Sequence, residues 1–151
     1  MADQYVVFTL DDQRYALHLS AVDRVVHVPH ITPVSGALDI LLGIVNIAGR
    51  IIPVVDIRRR FNLPERKISL SDRLIFAHTE RRSVALVADA VGGVIECSEY
   101  SKALAEHVLP GLRHVEGIIK LKDDLILIHN LDKFLSLEEE KSVDLVLAAV
   151  K

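Results

Sequence analysis

Gly43-Ile44-Val45-Asn46-Ile47-Ala48-Gly49-Arg50-Ile51-Ile52-Pro53-Val54-Val55-Asp56-Ile57 can be laid, without a gap, on Gly117-Ile118-Ile119-Lys120-Leu121-Lys122-Asp123-Asp124-Leu125-Ile126-Leu127-Ile128-His129-Asn130-Leu131. In both stretches a glycine opens an apolar run, a small or polar turn follows, and a second apolar run ends at Asp or Asn. The match continues upstream. Tyr15-Ala16-Leu17 through Val25-Val26 aligns with Val84-Ala85-Leu86 through Val94-Ile95, and Phe8 meets Phe76 once a residue is inserted in the turn between. The same order in both halves reads as two copies of one small unit, about residues 5–61 and 72–135. Residues 62–71, with Leu63-Pro64 and mixed charges, form the crossing segment, and a helix is expected over 136–151.

Each unit reads as strands. Tyr5 to Leu10 and Tyr15 to Leu19 flank the polar turn Asp11-Asp12-Gln13-Arg14, and Asp72 to His78 and Ser83 to Ala88 flank Thr79-Glu80-Arg81-Arg82 in the same way. The runs around Ala48-Gly49 and Asp123-Asp124 supply a second hairpin to each unit. Short Val- and Ile-rich runs between turn residues suit a small closed barrel, so the fold class is all-β. Pro53 has no N–H to give a ladder, which predicts an edge strand or a bulge there. Asp56 and Asn130 are placed to cap short helical turns, with Ile57 and Phe61 four apart on one face. Ser136-Leu137-Glu138-Glu139 has capping-box spacing, and Val143, Val146, Leu147 and Val150 form an apolar stripe behind it.

The chain of 151 residues is half apolar and about a quarter charged, which excludes intrinsic disorder. Aromatics make up 5% of residues and Trp is missing, so the core rests on Val, Ile, Leu and Ala. A single cysteine, Cys97, excludes an internal disulfide. The first residues, Met1-Ala2-Asp3-Gln4, lack the basic and apolar regions of a signal peptide, and no apolar run approaches the ~20 residues of a membrane span. A cytoplasmic location is therefore expected. A net charge of −3 disfavours nucleic acid, although a barrel of this size is a familiar nucleic-acid fold and stays as the alternative reading.

Chemistry is sparse. The sequence contains no nucleophile elbow, phosphate loop or dinucleotide fingerprint. Asp89, Ser101 and His107 are the best scattered catalytic set, and nothing distinguishes them from chance. Cys97 reads as a structural thiol, and Gly92-Gly93 as a turn. His27 and His30 flank Val28-Pro29 and His107 and His114 flank Pro110-Gly111, both loops, without a cluster that completes a metal site. No cofactor and no metal are expected. Arg58-Arg59-Arg60, with Arg50 nearby, reads as a solvated basic face whose functional use would be an acidic protein partner; only Phe61 is near enough to stack a base. Two small all-β units without catalytic groups expose sheet edges and apolar surface, which points to an interaction module.

The stretch Leu42 to Arg59 resembles the signature of the CheW family of chemotaxis coupling proteins. Gly43, Asn46, Gly49, Pro53, Asp56 and Arg58 match a family pattern that reads approximately Gly-x-x-Asn-x-Arg-Gly-x-x-x-Pro-x-x-Asp-x-Arg. The resemblance runs from Tyr5-Val6-Val7-Phe8 through Ile31-Thr32-Pro33-Val34 and Val84 to Val91, and on to Ile126-Leu127-Ile128. It implies two five-stranded SH3-like barrels packed around a shared core, and scaffolding without catalysis. The implied partners are the cytoplasmic tip of chemoreceptors and the regulatory domain of a CheA-type histidine kinase. By the same resemblance, Val22, Arg24, Gly43 and Val84 would hold the receptor, and Asn46, Ala48, Gly49, Arg50 and Arg58 the kinase. Family members often carry Glu where this chain has Arg24 and Arg where it has Ala48, an ion pair removed here as a unit. That departure implies a divergent receptor or kinase, or a pathway other than flagellar control.

Overall fold

The structure, a computed structural model, describes residues 3–34, 39–97 and 114–149. In chain order the elements are β1 (Asp3–Leu10), β2 (Gln13–His18), β3 (Val22–His27), β4 (Leu41–Ile47), β5 (Arg50–Val55) and α1 (Ile57–Arg60). They continue as β6 (Arg73–His78), β7 (Ser83–Ala88), β8 (Ala90–Cys97), β9 (Val115–Lys120), β10 (Leu125–His129) and α2 (Leu137–Ala149). The strands form two five-stranded sheets, ordered β8-β1-β2-β10-β9 and β3-β6-β7-β5-β4. These are the two barrel units expected.

Their composition differs from the sequential split. Residues 5–61 and 72–135 mark the sequence repeat, but each sheet combines the first hairpin of one repeat with three strands of the other. The exchange is symmetric. A parallel ladder joins β2 to β10 through Ala16 and Ile128, and the aligned residues Ala85 and Val54 join β7 to β5. The irregularities repeat too. The register slips at Leu42, between Leu41 and Gly43, and again at Glu116, between Val115 and Gly117. It slips at Asp23 in β3 and at the aligned Gly92 in β8. Gly92-Gly93 therefore lies inside a strand and not at a turn. A bulge there uses the positive φ of Gly93 (103°), which glycine adopts without steric cost.

Both faces of the central strands are buried, which explains their nearly unbroken apolar runs. One face of the first sheet packs Tyr5, Val7, Ala16, Ile119, Ile126 and Ile128 inside its own barrel. The second barrel closes on Val45, Ile52, Val54, Leu74, Phe76 and Ala85. Phe8, Leu10, Tyr15 and Leu17 face instead toward Val55, Ile75, Val84 and Leu86, forming the shared core between the barrels.

Pro53 departs from expectation, because β5 is an interior strand and the nearby bulge falls at Leu42 of its partner. Proline is tolerated because the ladder to β7 begins one residue later, at Val54. Asp56 Oδ1 caps α1 by accepting from Arg58 N at 3.1 Å, whereas Asn130 makes no side-chain cap to the short turn Leu131–Lys133. The capping box of α2 forms as read, with Glu139 N donating to Ser136 Oγ and Ser136 N to Glu139 Oε1. Val143 is buried and Val146 and Leu147 are half-buried, while Val150 lies outside the described residues.

Candidate functional site

Two hairpin ends and one sheet edge shape the mouth of the second barrel. Ala48 and Gly49 turn the β4–β5 hairpin with φ of 51° and 86°, the double positive pair of a tight two-residue turn. Asn46 Oδ1 accepts from Gly49 N at 3.0 Å and fixes that turn. Asn46, Ala48, Gly49 and Arg50 are all exposed. Arg50 reaches across to β7, where Nη2 donates to Ser83 Oγ at 3.0 Å. On the edge strand β3, the Arg24 guanidinium lies 5.3 Å from the centre of the Phe76 ring, and Asp23 Oδ1 sits 2.9 Å from His78 Nδ1. Between them is a hollow of about 150 Å³, lined by Asp23, Arg24, Ile47, Arg50, Ile52, Phe76 and Ser83.

Residues far apart in sequence meet here. Val22 pairs with Ala77 and so does Val84; one position along, Ala85 pairs with Val54 and Val54 with Gly43. Val22, Val84 and Gly43 thus lie on nearly one row across the second sheet. Their exposure is another matter. Val84 is 3% exposed and points into the shared core. Gly43 is buried under the segment Ile31–Thr32, which exchanges two backbone hydrogen bonds with Ile44 at 2.9 Å each. A methyl group at Gly43 would come 2.3 Å from the Thr32 carbonyl oxygen, so the glycine is there for that close approach. Neither Gly43 nor Val84 presents a side chain to a partner.

Arg58 is elsewhere and is not on a solvated face. It is 8% exposed, and its Nη2 donates at 2.8 Å to Asp11 of the β1–β2 turn and to Asp89 after β7. Arg66 bridges Asp89 to the buried Asp72. Burial pushes the Asp89 carboxyl up, but hydrogen bonds from Arg58, the Asp11 backbone and Arg66 outweigh it and hold the group below the usual range. This network ties the first hairpin to the start of α1 and to the crossing segment, so Arg58 is a structural residue. Arg59 and Arg60 pair with Glu65 and Glu139. An aromatic group, the buried Tyr15, His114, His129 and Phe134 with the half-buried Phe61, fills the junction between the barrels. Sequence reading missed it, because its members come from four separate segments.

Cys97 ends β8 half-buried against the first barrel's core. Ser101 and His107 lie outside the described residues, as does the loop around Pro110-Gly111. Asp89 is engaged in the arginine network, away from the other two in sequence. Among the described residues no group of three or more His, Cys, Asp or Glu is arranged to hold a metal ion, and no helix is long and apolar enough to cross a membrane.

Residues 4–139 match the CheW-like domain. This chain belongs to the CheW family. Its similarity to the chemotaxis protein CheW of Bacillus subtilis (strain 168) is 26% identity over 145 residues, covering 93% of this chain and 91% of that protein. The corresponding protein of Thermotoga maritima is 28% identical over 130 residues, covering 85% of this chain and 84% of the relative. Among solved structures, the scaffolding protein TtCheW from Thermoanaerobacter tengcongensis superposes with a TM-score of 0.80 at 30% identity, covering 92% of this chain and 96% of that one. Members of the CheW family are chemotaxis scaffolds and not enzymes, and this chain is a scaffold of that kind. Arg24 on the β3 edge lies over Phe76, and Ala48 holds a left-handed position in the β4–β5 turn.

Proposed function

We propose that this scaffold couples chemoreceptors to the regulatory domain of a CheA-type histidine kinase, working in the cytoplasm beneath membrane-associated receptor arrays. What carries the reading is the family match across nearly the whole chain, joined to a rigid, exposed β4–β5 turn beside an open barrel mouth. The kinase contact is assigned to Asn46, Ala48, Gly49 and Arg50, and the receptor contact to the neighbouring β3 edge around Val22 and Arg24. Gly43 and Val84 support that surface from beneath, and Arg58 holds the barrels together. Two partners gripping one rigid body bias one another's states, typically by about 1–3 kcal/mol per coupled pair. Repeated contacts in an array add avidity.

Calorimetric titration with the kinase regulatory domain from the same genome, and separately with a receptor cytoplasmic fragment, tests the reading. Binding of both, with a ternary complex by size-exclusion chromatography, is expected. Binding of neither overturns it.

A further inference from the structure

The internal duplication supplies a control for the barrel mouth. The first barrel has an equivalent opening, of about 520 Å³, lined among others by Val7, Arg14, Gly92, Leu121 and Ile126. The repeat sets Arg14, Gly92, Leu121 and Ile126 against Ser83, Asp23, Ile47 and Ile52 of the second mouth, and the hairpin registers set Val7, opposite Ala16, against Phe76, opposite Ala85. In the first barrel, Arg14 reaches across the opening to a carboxylate, with Nε 3.4 Å from Asp124 Oδ2. At the aligned positions of the second barrel the cation is Arg50 and its counterpart is the neutral Ser83. Ser83 takes the place of Arg14 and Arg50 that of Asp124, so the crossing is kept with its cation on the other side and with no counter-charge.

Arg24 has none either. Among the described residues, seven of ten arginines form ion pairs, and the exceptions are Arg24, Arg50 and Arg73. Two of those three line this one hollow. The carboxylate that also lines it, Asp23, is engaged with His78. A guanidinium lying over a ring keeps its in-plane N–H donors for other partners, in the fork that matches a carboxylate. At about 150 Å³ the hollow is below the ~300 Å³ at which small-molecule sites begin, and suits a side chain or two. Its floor, Ile47, Ile52 and Phe76, accepts the methylene stem of such a side chain.

We infer that the second barrel mouth is a socket for a partner protein's glutamate or aspartate, which Arg24 and Arg50 grip from opposite sides. The inference rests on the adaptor reading, places Arg24 of the proposed receptor edge and Arg50 of the proposed kinase turn in one site where those surfaces meet, and adds the chemistry of the partner segment: acidic, with an apolar stem or neighbour. It makes Arg24 a residue that selects acidic partners.

The test is amide NMR titration of the full chain with a capped, alanine-based helical peptide bearing Glu at i and i+4, beside the same peptide bearing Gln. Shifts centred on Asp23, Arg24, Ile47, Arg50, Phe76 and Ser83 are expected with the Glu peptide. Binding should be about tenfold weaker for the Gln peptide, and likewise for Arg24→Gln and Arg50→Gln, since one charge-assisted hydrogen bond is worth roughly that factor. Both arginines are exposed, and an unchanged amide spectrum elsewhere verifies the fold of each variant. Equal binding of the two peptides, shifts centred on Arg14 and Asp124, or no binding of the Glu peptide would each overturn the inference. The peptide needs no kinase or receptor, so failure of the calorimetric titration alone counts against the adaptor reading and leaves the socket standing.

Discussion

Arg58 and Ala48 are the two residues whose environments contradict their sequence neighbourhoods. A run of three arginines reads as a solvated face, and for Arg59 it is one. Arg58 is buried because its partners lie 47 and 31 positions away, at Asp11 and Asp89, a distance over which no local pattern carries information. Arg58→Met keeps the stem and removes the charge, leaving Asp11 without its cation and Asp89 with Arg66 alone, two carboxylates that the fold holds close. It should cost about 3 kcal/mol in urea denaturation; a loss below ~1 kcal/mol would return Arg58 to the surface role. Ala48 occupies a left-handed position that suits Asn, and Asn-Gly is the preferred pair of this turn type. Ala48→Asn should therefore stabilise the chain by roughly 0.5–1 kcal/mol, seen as a higher urea midpoint at unchanged slope. An unchanged midpoint would mean the turn carries no strain.

At the level of elements, hairpins were legible and their partners were not. Asp11-Asp12 and Ala48-Gly49 announce tight turns, and the capping box at Ser136 announces α2, because those signals are local. The exchange of first hairpins between sheets left no trace. Each hairpin is apolar on both faces, so its pattern does not say which sheet it joins, and the chain passes from one sheet to the other through only three residues after β2 and one after β7. Bulges at Asp23 and Gly92 were hidden for a related reason: one extra residue alters register without altering composition. Gly43 marks where this matters for function. Its φ of 157° is one that L side chains rarely adopt, and the Thr32 carbonyl stands 2.3 Å from where a methyl group would go. Gly43→Ala should lose about 2–3 kcal/mol by overpacking. Any loss of partner binding in a Gly43 variant should track that loss of folded protein when binding and unfolding are measured on one sample. Full stability in Gly43→Ala would reopen the glycine as a docking surface.

For the molecule as a whole, the seam between the barrels makes stability depend on pH. His129 is 1% exposed, packs edge-on against Phe134 at 5.1 Å between ring centres, and has no hydrogen-bond partner on either nitrogen. Burial, then the neighbouring His114 and Arg60, lowers its pKa to about 3; burial and Arg60 lower that of His114 to about 4. The unfolded chain takes up both protons near pH 6.5, while the native chain refuses them until well below. Stability is thus fully present above pH 6.5 and falls as the pH drops from there toward 4, by up to roughly 3 kcal/mol per pH unit for two protons. Below that range the paired carboxylates Asp89 and Glu139, whose pKa values are lowered, begin to contribute in the same direction. His129→Leu removes two buried polar atoms that have no partners, so at pH 7.5 it should be neutral or stabilising. At pH 5 it should be clearly more stable than the parent, with about half the slope between pH 6 and 4.5 in urea midpoints. A parent slope that survives His129→Leu intact would move the acid sensitivity out of the seam and onto the surface carboxylates.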